Sequence, residues 1–224
     1  MYITKGLNQF FIFFVLILLS NFCFAQSSEL KGWSSVEYGF DINEVLKINL
    51  SQHFRLKEDL SVIDTYITES DISFEPIKKL TFLGQLRYYS KNDNSGGIQG
   101  FENMMRYRFG IEKKLNSNKL NFELRVAYQN RFSLDRENRF KKRIRIRPLI
   151  ELKMIDWTNN PKIYFEYFDE IKGNEQKVYR YGISKKINTN KSQSITLRYL
   201  YQKYIEKNSS NSSANIISIK YSFN

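Results

Sequence analysis

The stretch KKRIRIRPLIELK, Lys141 to Lys153, carries six cations in thirteen residues and alternates regularly between charged and apolar side chains. Arg143, Arg145 and Arg147 fall on one side of an extended chain, and the intervening isoleucines fall on the other. Successive side chains of a β-strand point to opposite faces, whereas a helix would spread these charges around its axis. The stretch therefore predicts a long strand with one charged and one apolar face. Proline has no N–H for the ladder, so we expect a bulge at Pro148 or a position near the rim.

The same alternation recurs along most of the chain, and a convincing amphipathic helix is not found after residue 25. The predicted strands cover residues 33–40, 45–55, 65–75, 80–88, 105–112, 120–131, 141–153, 162–170, 177–184, 194–202 and 216–223. Short turns and longer polar connections alternate between them, which favours an up-and-down closed barrel. Bacterial single-chain barrels have even strand counts. The eleven candidate strands give a predicted range of 10–12, and within it we expect an even number, ten or twelve. Segment 33–40 shows the weakest alternation of the eleven candidates.

Residues 1–25 have the composition of a cleaved secretory signal. Lys5 precedes an unbroken apolar run of ten, 10–19, and small residues at Cys23 and Ala25 favour cleavage before Gln26. The run is too short to cross a bilayer as a helix, which needs roughly 20 residues. The sequence thus predicts a signal peptide at 1–25, export through the Sec pathway and one barrel domain at 26–224.

A soluble barrel buries its apolar face, whereas a membrane barrel turns that face to lipid and keeps a polar lumen. The polar face here mixes Arg with Glu and Asp, the strands are long enough to span a bilayer, and the chain ends on a strand with Phe223 next to last. Aromatic residues at strand ends are candidates for interfacial girdles: Tyr88, Tyr89, Trp157, Tyr179, Tyr181, Tyr199, Tyr201 and Tyr204. These features predict an all-β, up-and-down antiparallel transmembrane β-barrel in the bacterial outer membrane.

The charged residues of the polar face are the candidate functional residues, because alternation directs them into the lumen. They are Glu37, Arg55, Glu69, Asp71, Arg87, Arg106, Arg108, Glu112, Glu123, Arg125, Arg143, Arg145, Arg147, Glu151, Glu166, Arg180 and Arg198. Arg pairs two-pronged with carboxylates, so the favoured interpretation is a lumen plugged by salt bridges in a structural, envelope role. The first alternative is a small anion-selective pore or transporter.

The second alternative is an enzyme that modifies lipid or peptide, for which His53 beside Ser51 is the only imidazole available. No nucleophile motif accompanies the pair, so we predict neither a catalytic residue nor enzymatic activity. The single cysteine lies in the signal, which excludes a Cys/His zinc cluster, and phosphate-binding loops are missing from the sequence. No metal or cofactor is expected.

The net charge of +12 indicates an anionic partner. Because the chain is exported, we expect outer-membrane lipid and lipopolysaccharide rather than nucleic acid. The alternating C-terminal strand, IISIKYSFN, is typical of strands that bacterial barrel-assembly machinery reads.

Several segments resemble a family of bacterial outer-membrane barrels catalogued as domain of unknown function 2490, common in Bacteroidetes-type bacteria. The resemblance is carried by WSSVEYGF at 33–40, LRYY at 86–89, MRYRFGIE at 105–112, FKKRIRIRPLIEL at 140–152, YFEYFDE at 164–170 and YRYGISKKI at 179–187. It covers essentially the whole chain after the signal. The resemblance implies a barrel and brings no assigned activity.

Overall fold

The computed structural model describes residues 28–94, 99–137, 139–154, 160–172, 176–205 and 212–223. The predicted signal peptide and Trp157 lie outside the described residues. The strands are β1 Ser28–Asp41, β2 Leu46–Lys57, β3 Val62–Ile77, β4 Leu80–Asp93, β5 Gly100–Asn116, β6 Leu120–Ser133, β7 Phe140–Leu152, β8 Lys162–Lys172, β9 Lys177–Asn188, β10 Gln193–Ile205 and β11 Ser212–Phe223. Helices long and apolar enough to cross a bilayer are absent from these ranges.

The eleven strands form one closed barrel in which sequence neighbours pair antiparallel and β11 closes against β1. This closing pair is parallel, with Ser28 opposite Ser213 and Tyr38 opposite Phe223. The expectation of an even count is therefore wrong, whereas the predicted range of 10–12 strands is confirmed. The predicted antiparallel pairing is found at every strand pair except this closing one. An odd number of alternating strands makes the first and the last run in the same direction, so a parallel seam is the only way to close the ring. Segment 33–40 is part of the full strand β1.

The apolar side chains face outward and the charged ones face inward, as the alternation predicts. Ile144, Leu124 and Ile219 are 39%, 37% and 50% exposed in the isolated barrel, although each is a large hydrophobic residue in mid-strand. Arg108 and Glu112 of β5 are buried, together with charged residues of β3, β4 and β8. Because residues i and i+2 share a face, one outward-facing residue identifies which face every other side chain of that strand occupies. The fold is that of a transmembrane β-barrel with a polar lumen.

Aromatic side chains collect on the outer face near both ends of the barrel. Tyr66 contacts Phe101 near the longer connections, and Tyr38 contacts Phe40 and Phe223 near the short turns. Among the predicted girdle residues, the outer face of the barrel carries Tyr88, Tyr179, Tyr181, Tyr199 and Tyr201.

For Tyr89 and Tyr204 the girdle prediction is wrong, because both side chains line the lumen. Tyr89 is only 5% exposed, and the guanidinium groups of Arg87 and Arg106 each lie 5.5 Å from its ring centroid. Two neighbours on one strand cannot share a face, so Tyr88 and Tyr89 could never both have been girdle residues.

Pro148 interrupts the ladder between β7 and β8 without a bulge. It pairs with Leu124 of β6, but on the other side the pairing passes from Ile146 opposite Tyr167 directly to Leu149 opposite Tyr164. The register is unchanged across this gap, because the proline removes a donor and inserts no extra residue. The irregularity of β7 lies instead between Lys142 and Arg143.

The lumen as candidate functional site

The lumen contains a cavity of about 830 Å³ lined by residues from all eleven strands. Lys91 and Lys141 line it near the longer connections, and Lys186 and Lys220 line it near the short turns. The cavity therefore extends along most of the barrel's length. Of the seventeen predicted lumen residues, fifteen line it. Glu112 and Glu151 do not, and they pair instead with Arg125 and Lys162 on the wall.

Positive charge dominates the cavity lining. Seventeen of the lining residues are cationic: Lys31, Arg55, Arg87, Lys91, Arg106, Arg108, Arg125, Arg131, Lys141, Arg143, Arg145, Arg147, Lys162, Arg180, Lys186, Arg198 and Lys220. Six are carboxylates: Glu37, Asp64, Glu69, Asp71, Glu123 and Glu166. The carboxylates are too few to neutralise the cations, so the lumen carries a net positive field.

Glu69 organises the first group of ion pairs, on β2 to β5. It lies opposite Arg87 in the β3–β4 register and forms an ion pair with its guanidinium. His53 Nε2 lies 3.6 Å from the same carboxylate, and an Arg106 Nη lies at 4.0 Å. One buried carboxylate is thus shared by several donors, an arrangement that holds the registers of three neighbouring strand pairs.

Asp71 extends this group toward the short turns. Its Oδ1 accepts a hydrogen bond from Gln85 Nε2 at 2.7 Å, and Arg108 Nη2 lies 3.3 Å from the same oxygen. Gln85 in turn accepts from Arg106 through its own side-chain oxygen. The amide therefore links a carboxylate to a second arginine in the wall.

A second group joins two arginines to two glutamates across β5, β6 and β7. Arg125 pairs with Glu112, its Nε donating at 2.8 Å, and Arg147 pairs with Glu123. Weaker approaches of 3.8 Å join Arg125 to Glu123 and Arg147 to Glu112. The four charges form a closed square on the wall, and they balance one another.

Glu166 of β8 forms the third group with Arg145 of β7 and Arg180 of β9. Arg180 Nη1 donates to Glu166 at 2.7 Å, and Arg145 forms an ion pair with the other carboxylate oxygen. Arg180 also donates through Nε to Gln202 Oε1 at 2.9 Å. Glu166 is 2% exposed, so its charge depends on these two partners.

Further charged residues in the lumen were not among the candidates. Glu170 lies at the end of β8 with Lys141 Nζ at 3.1 Å and an Arg143 Nη at 3.6 Å, and Lys220 pairs with Glu37 at 2.7 Å. Alternation within each predicted strand could have found them, since Glu170 has the parity of Glu166 and Lys220 that of Ser218 and Ser222.

Three lumen arginines, Arg55, Arg131 and Arg198, have no carboxylate oxygen within 4 Å in the part of the chain that the structure describes. Arg55 instead lies over the indole of Trp33, with its guanidinium carbon 4.1 Å from the ring centroid. A cation over an aromatic face is attracted by the ring quadrupole without being neutralised. These arginines supply much of the unbalanced charge.

The only imidazole, His53, lines the lumen beside Ser51, but the two are not joined as a nucleophile and a base. Ser51 Oγ and His53 Nε2 are both buried without a hydrogen-bond partner in the structure. Hydrolytic catalysis needs the nucleophile to be in hydrogen-bond contact with its base. Groups of three or more His, Cys, Asp or Glu residues suited to a metal ion do not occur within the described ranges.

Comparison with known proteins identifies the family. An anion-selective porin from Comamonas acidovorans resembles the chain with a TM-score of 0.41 and 9% identity, over 81% of this chain and 54% of the porin. The chain thus spans about half of that porin's length. None of the curated protein sequences matches. The model of the family "Protein of unknown function (DUF2490)" matches residues 30–213, and the chain therefore belongs to the DUF2490 family.

Proposed function

We propose that the protein is an outer-membrane β-barrel whose lumen lets small anions pass. The observation that carries this proposal is the cavity along the barrel, in which seventeen cations face six carboxylates. Rings of Arg and Lys favour anions in a pore, because they replace part of the hydration that an anion loses on entry and repel cations. Even when the carboxylates that pair with lining cations from outside the cavity lining are added (Glu29, Glu112, Glu151 and Glu170), seventeen cations meet ten carboxylates.

The placement of the ion pairs supports a pore over a plug. The lumen pairs found in the described residues join strands that are adjacent or next but one: Glu69 to Arg87 on β3 and β4, Asp71 to Arg108 on β3 and β5. Glu166 likewise bridges β7 and β9, on either side of its own strand. Such pairs run along the wall and leave the middle of the lumen open, whereas a plug needs pairs between opposite walls.

The location follows from the outer surface and the N-terminal segment. The apolar outer face and its aromatic residues match a lipid environment with two interfaces. Together with the signal-like residues 1–25, this supports export to the outer membrane, with lipid and lipopolysaccharide as surroundings. The strand β11, which ends at Phe223, is the segment we propose for recognition by the barrel-assembly machinery.

A planar-bilayer recording under a tenfold KCl gradient tests the proposal. We expect stepwise currents that reverse near the equilibrium potential of chloride. Currents that reverse near the equilibrium potential of potassium would overturn the proposal. A bilayer without current steps would also overturn it and would favour a lumen plugged by salt bridges.

Two variants of β10 provide a matched test of the lumen charge. Arg198→Gln removes a cation that lines the cavity, and Lys203→Gln removes one from the exposed outer face of the same strand. We expect the first to reduce the preference for chloride and the second to leave it unchanged. An equal effect of both would mean that selectivity arises outside the lumen.

A further inference from the structure

The lumen wall contains an apolar stripe that the alternation alone does not reveal. We call it the inner apolar stripe: Ile216, Leu200, Gly182, Tyr164 and Leu149, one residue from each of β11 to β7. The register places them side by side, with Leu200 opposite both Ile216 and Gly182, and Tyr164 opposite both Gly182 and Leu149. Five consecutive strands thus present an uncharged row inside a lumen dominated by arginine.

Gly182 lets the stripe form a continuous surface. A Cβ at this position would lie 2.5 Å from Leu200 Cδ2 and 2.6 Å from Tyr164 Cζ, so the two neighbouring side chains close over the glycine. Trp33 packs against the same cluster from β1. Leu200 and Ile216 are almost fully covered. The side chains of Trp33, Tyr164, Leu200 and Leu149 line the cavity.

Cations border the stripe on both sides. In the row toward the short turns, Ser184 lies opposite both Arg198 and Lys162. In the row toward the longer connections lies Arg180, whose guanidinium is 5.2 Å from the Trp33 ring. Arg180 is neutralised by Glu166, whereas Arg198 has no carboxylate partner among the described residues. An apolar surface therefore adjoins a guanidinium that is free to bind an anion.

We propose that the inner apolar stripe and Arg198 form a binding site for organic anions with a planar apolar body, of the class of aromatic monocarboxylates. The carboxylate accepts hydrogen bonds from Arg198, and the ring lies against Tyr164 and Trp33, the partly exposed aromatic residues that cover the buried cluster. A chloride ion uses only the charge of such a site, whereas an aromatic acid also removes apolar surface from water. The proposal rests on the proposed function in one respect, since the lumen must admit the solute.

Fluorescence of Trp33 provides the test. The chain has two tryptophans, so Trp157→Phe leaves Trp33 as the single reporter in the refolded barrel. The probes are benzoate, acetate, which has the charge without the ring, and benzamide, which has the ring without the charge. We expect benzoate to bind at about tenfold lower concentration than either. If the midpoint for benzoate equals that for acetate, only the charge of the probe matters and the proposed site is refuted. If it equals that for benzamide, the signal reports only partition of the ring into detergent, which also refutes the site.

Two leucine variants locate the site. Leu149→Asn replaces a stripe residue by a polar one of similar size, and Leu83→Asn does the same at a cavity-lining residue of β4, away from the stripe. We expect Leu149→Asn to weaken benzoate binding several-fold without changing acetate binding, and Leu83→Asn to change neither. Heat-modifiable migration on a gel establishes that each variant is folded. Equal loss in both variants would place benzoate elsewhere in the lumen.

The outcomes separate this site from the proposed function. If the barrel is not anion-selective but Trp33 fluorescence still distinguishes benzoate from acetate, the proposed pore function is refuted and the proposed binding site is supported. If the barrel conducts chloride but binds benzoate no more tightly than acetate, the proposed binding site is refuted and the proposed pore function is supported.

Discussion

Glu166→Gln, a substitution that keeps the size of the side chain, is predicted to cause a large loss of stability. The carboxylate is buried and serves two arginines, Arg145 and Arg180. Removal of one partner from a buried ion pair costs about 3–5 kcal/mol, because the remaining charge is left uncompensated. Gln still offers one oxygen, and Arg180 keeps its bond to Gln202. We therefore expect the lower end of the range, about 3 kcal/mol.

Urea unfolding of the barrel in lipid vesicles measures this loss through tryptophan fluorescence. With a slope of about 2 kcal/mol per M of urea, 3 kcal/mol shifts the midpoint by about 1.5 M. Glu37→Gln is the matched control. It breaks a single pair with Lys220 at 2.7 Å, in which both side chains are about one-fifth exposed. A pair this open to solvent is worth about 1 kcal/mol or less.

A double variant identifies the cause of the loss. If the cost arises from uncompensated guanidinium groups, Arg180→Gln added to Glu166→Gln restores part of the midpoint, because one unpaired cation disappears. The reasoning is refuted if Glu166→Gln unfolds at the same urea concentration as Glu37→Gln, or if the second substitution adds a further loss of similar size.

Three further predictions concern the outer surface, the stripe and the seam. Ile146→Arg, on the outer face in mid-strand, should cost about 2–4 kcal/mol in the urea assay, and Ile171→Arg, near the rim, about 1 or less; equal costs would contradict the lipid-facing assignment. Gly182→Ala should cost about 1–3 kcal/mol through overpacking against Leu200, whereas Gly84→Ala, with its nearest neighbour at 3.9 Å, should leave the midpoint unchanged. The parallel seam places the start of β1 and the end of β11 at opposite rims. Of two epitope tags, one at the N-terminus of the secreted chain and one at the C-terminus, only one should therefore be accessible on intact cells; access to both would contradict the seam.

The faces of the strands could be predicted from the sequence because a period of two is a local property. The alternation of Arg143 to Arg147 with isoleucines places each side chain without knowledge of any neighbour strand, and eleven such segments correspond to the eleven strands. The closure could not be predicted in this way. Whether a ring closes with a parallel or an antiparallel pair depends on the count of strands, and the general rule of even counts gave the wrong expectation.

The residue types that line the lumen could be predicted from the sequence, but their arrangement across neighbouring strands could not. Parity directs Arg198 and Leu200 into the lumen, yet the inner apolar stripe appears only when registers align Leu200 with Tyr164 and Leu149. Register depends on pairing between strands, which the alternation within one strand does not contain. The same limit affects the choice between plug and pore, because it depends on which strands each ion pair joins. Tyr89 was misassigned for another reason: its position near a strand end outweighed its parity.

Cysteine scanning along β7 tests the central claim, that charged side chains face an open lumen and apolar ones face lipid, most directly. In a Cys23→Ser background the chain has no other cysteine. Single cysteines at 143, 144, 145, 146 and 147 are then offered a water-soluble anionic thiosulfonate and a lipid-soluble maleimide in vesicles. We predict that the thiosulfonate labels 143, 145 and 147 and that the maleimide labels 144 and 146. Uniform labelling by one reagent, or the opposite alternation, would contradict the account.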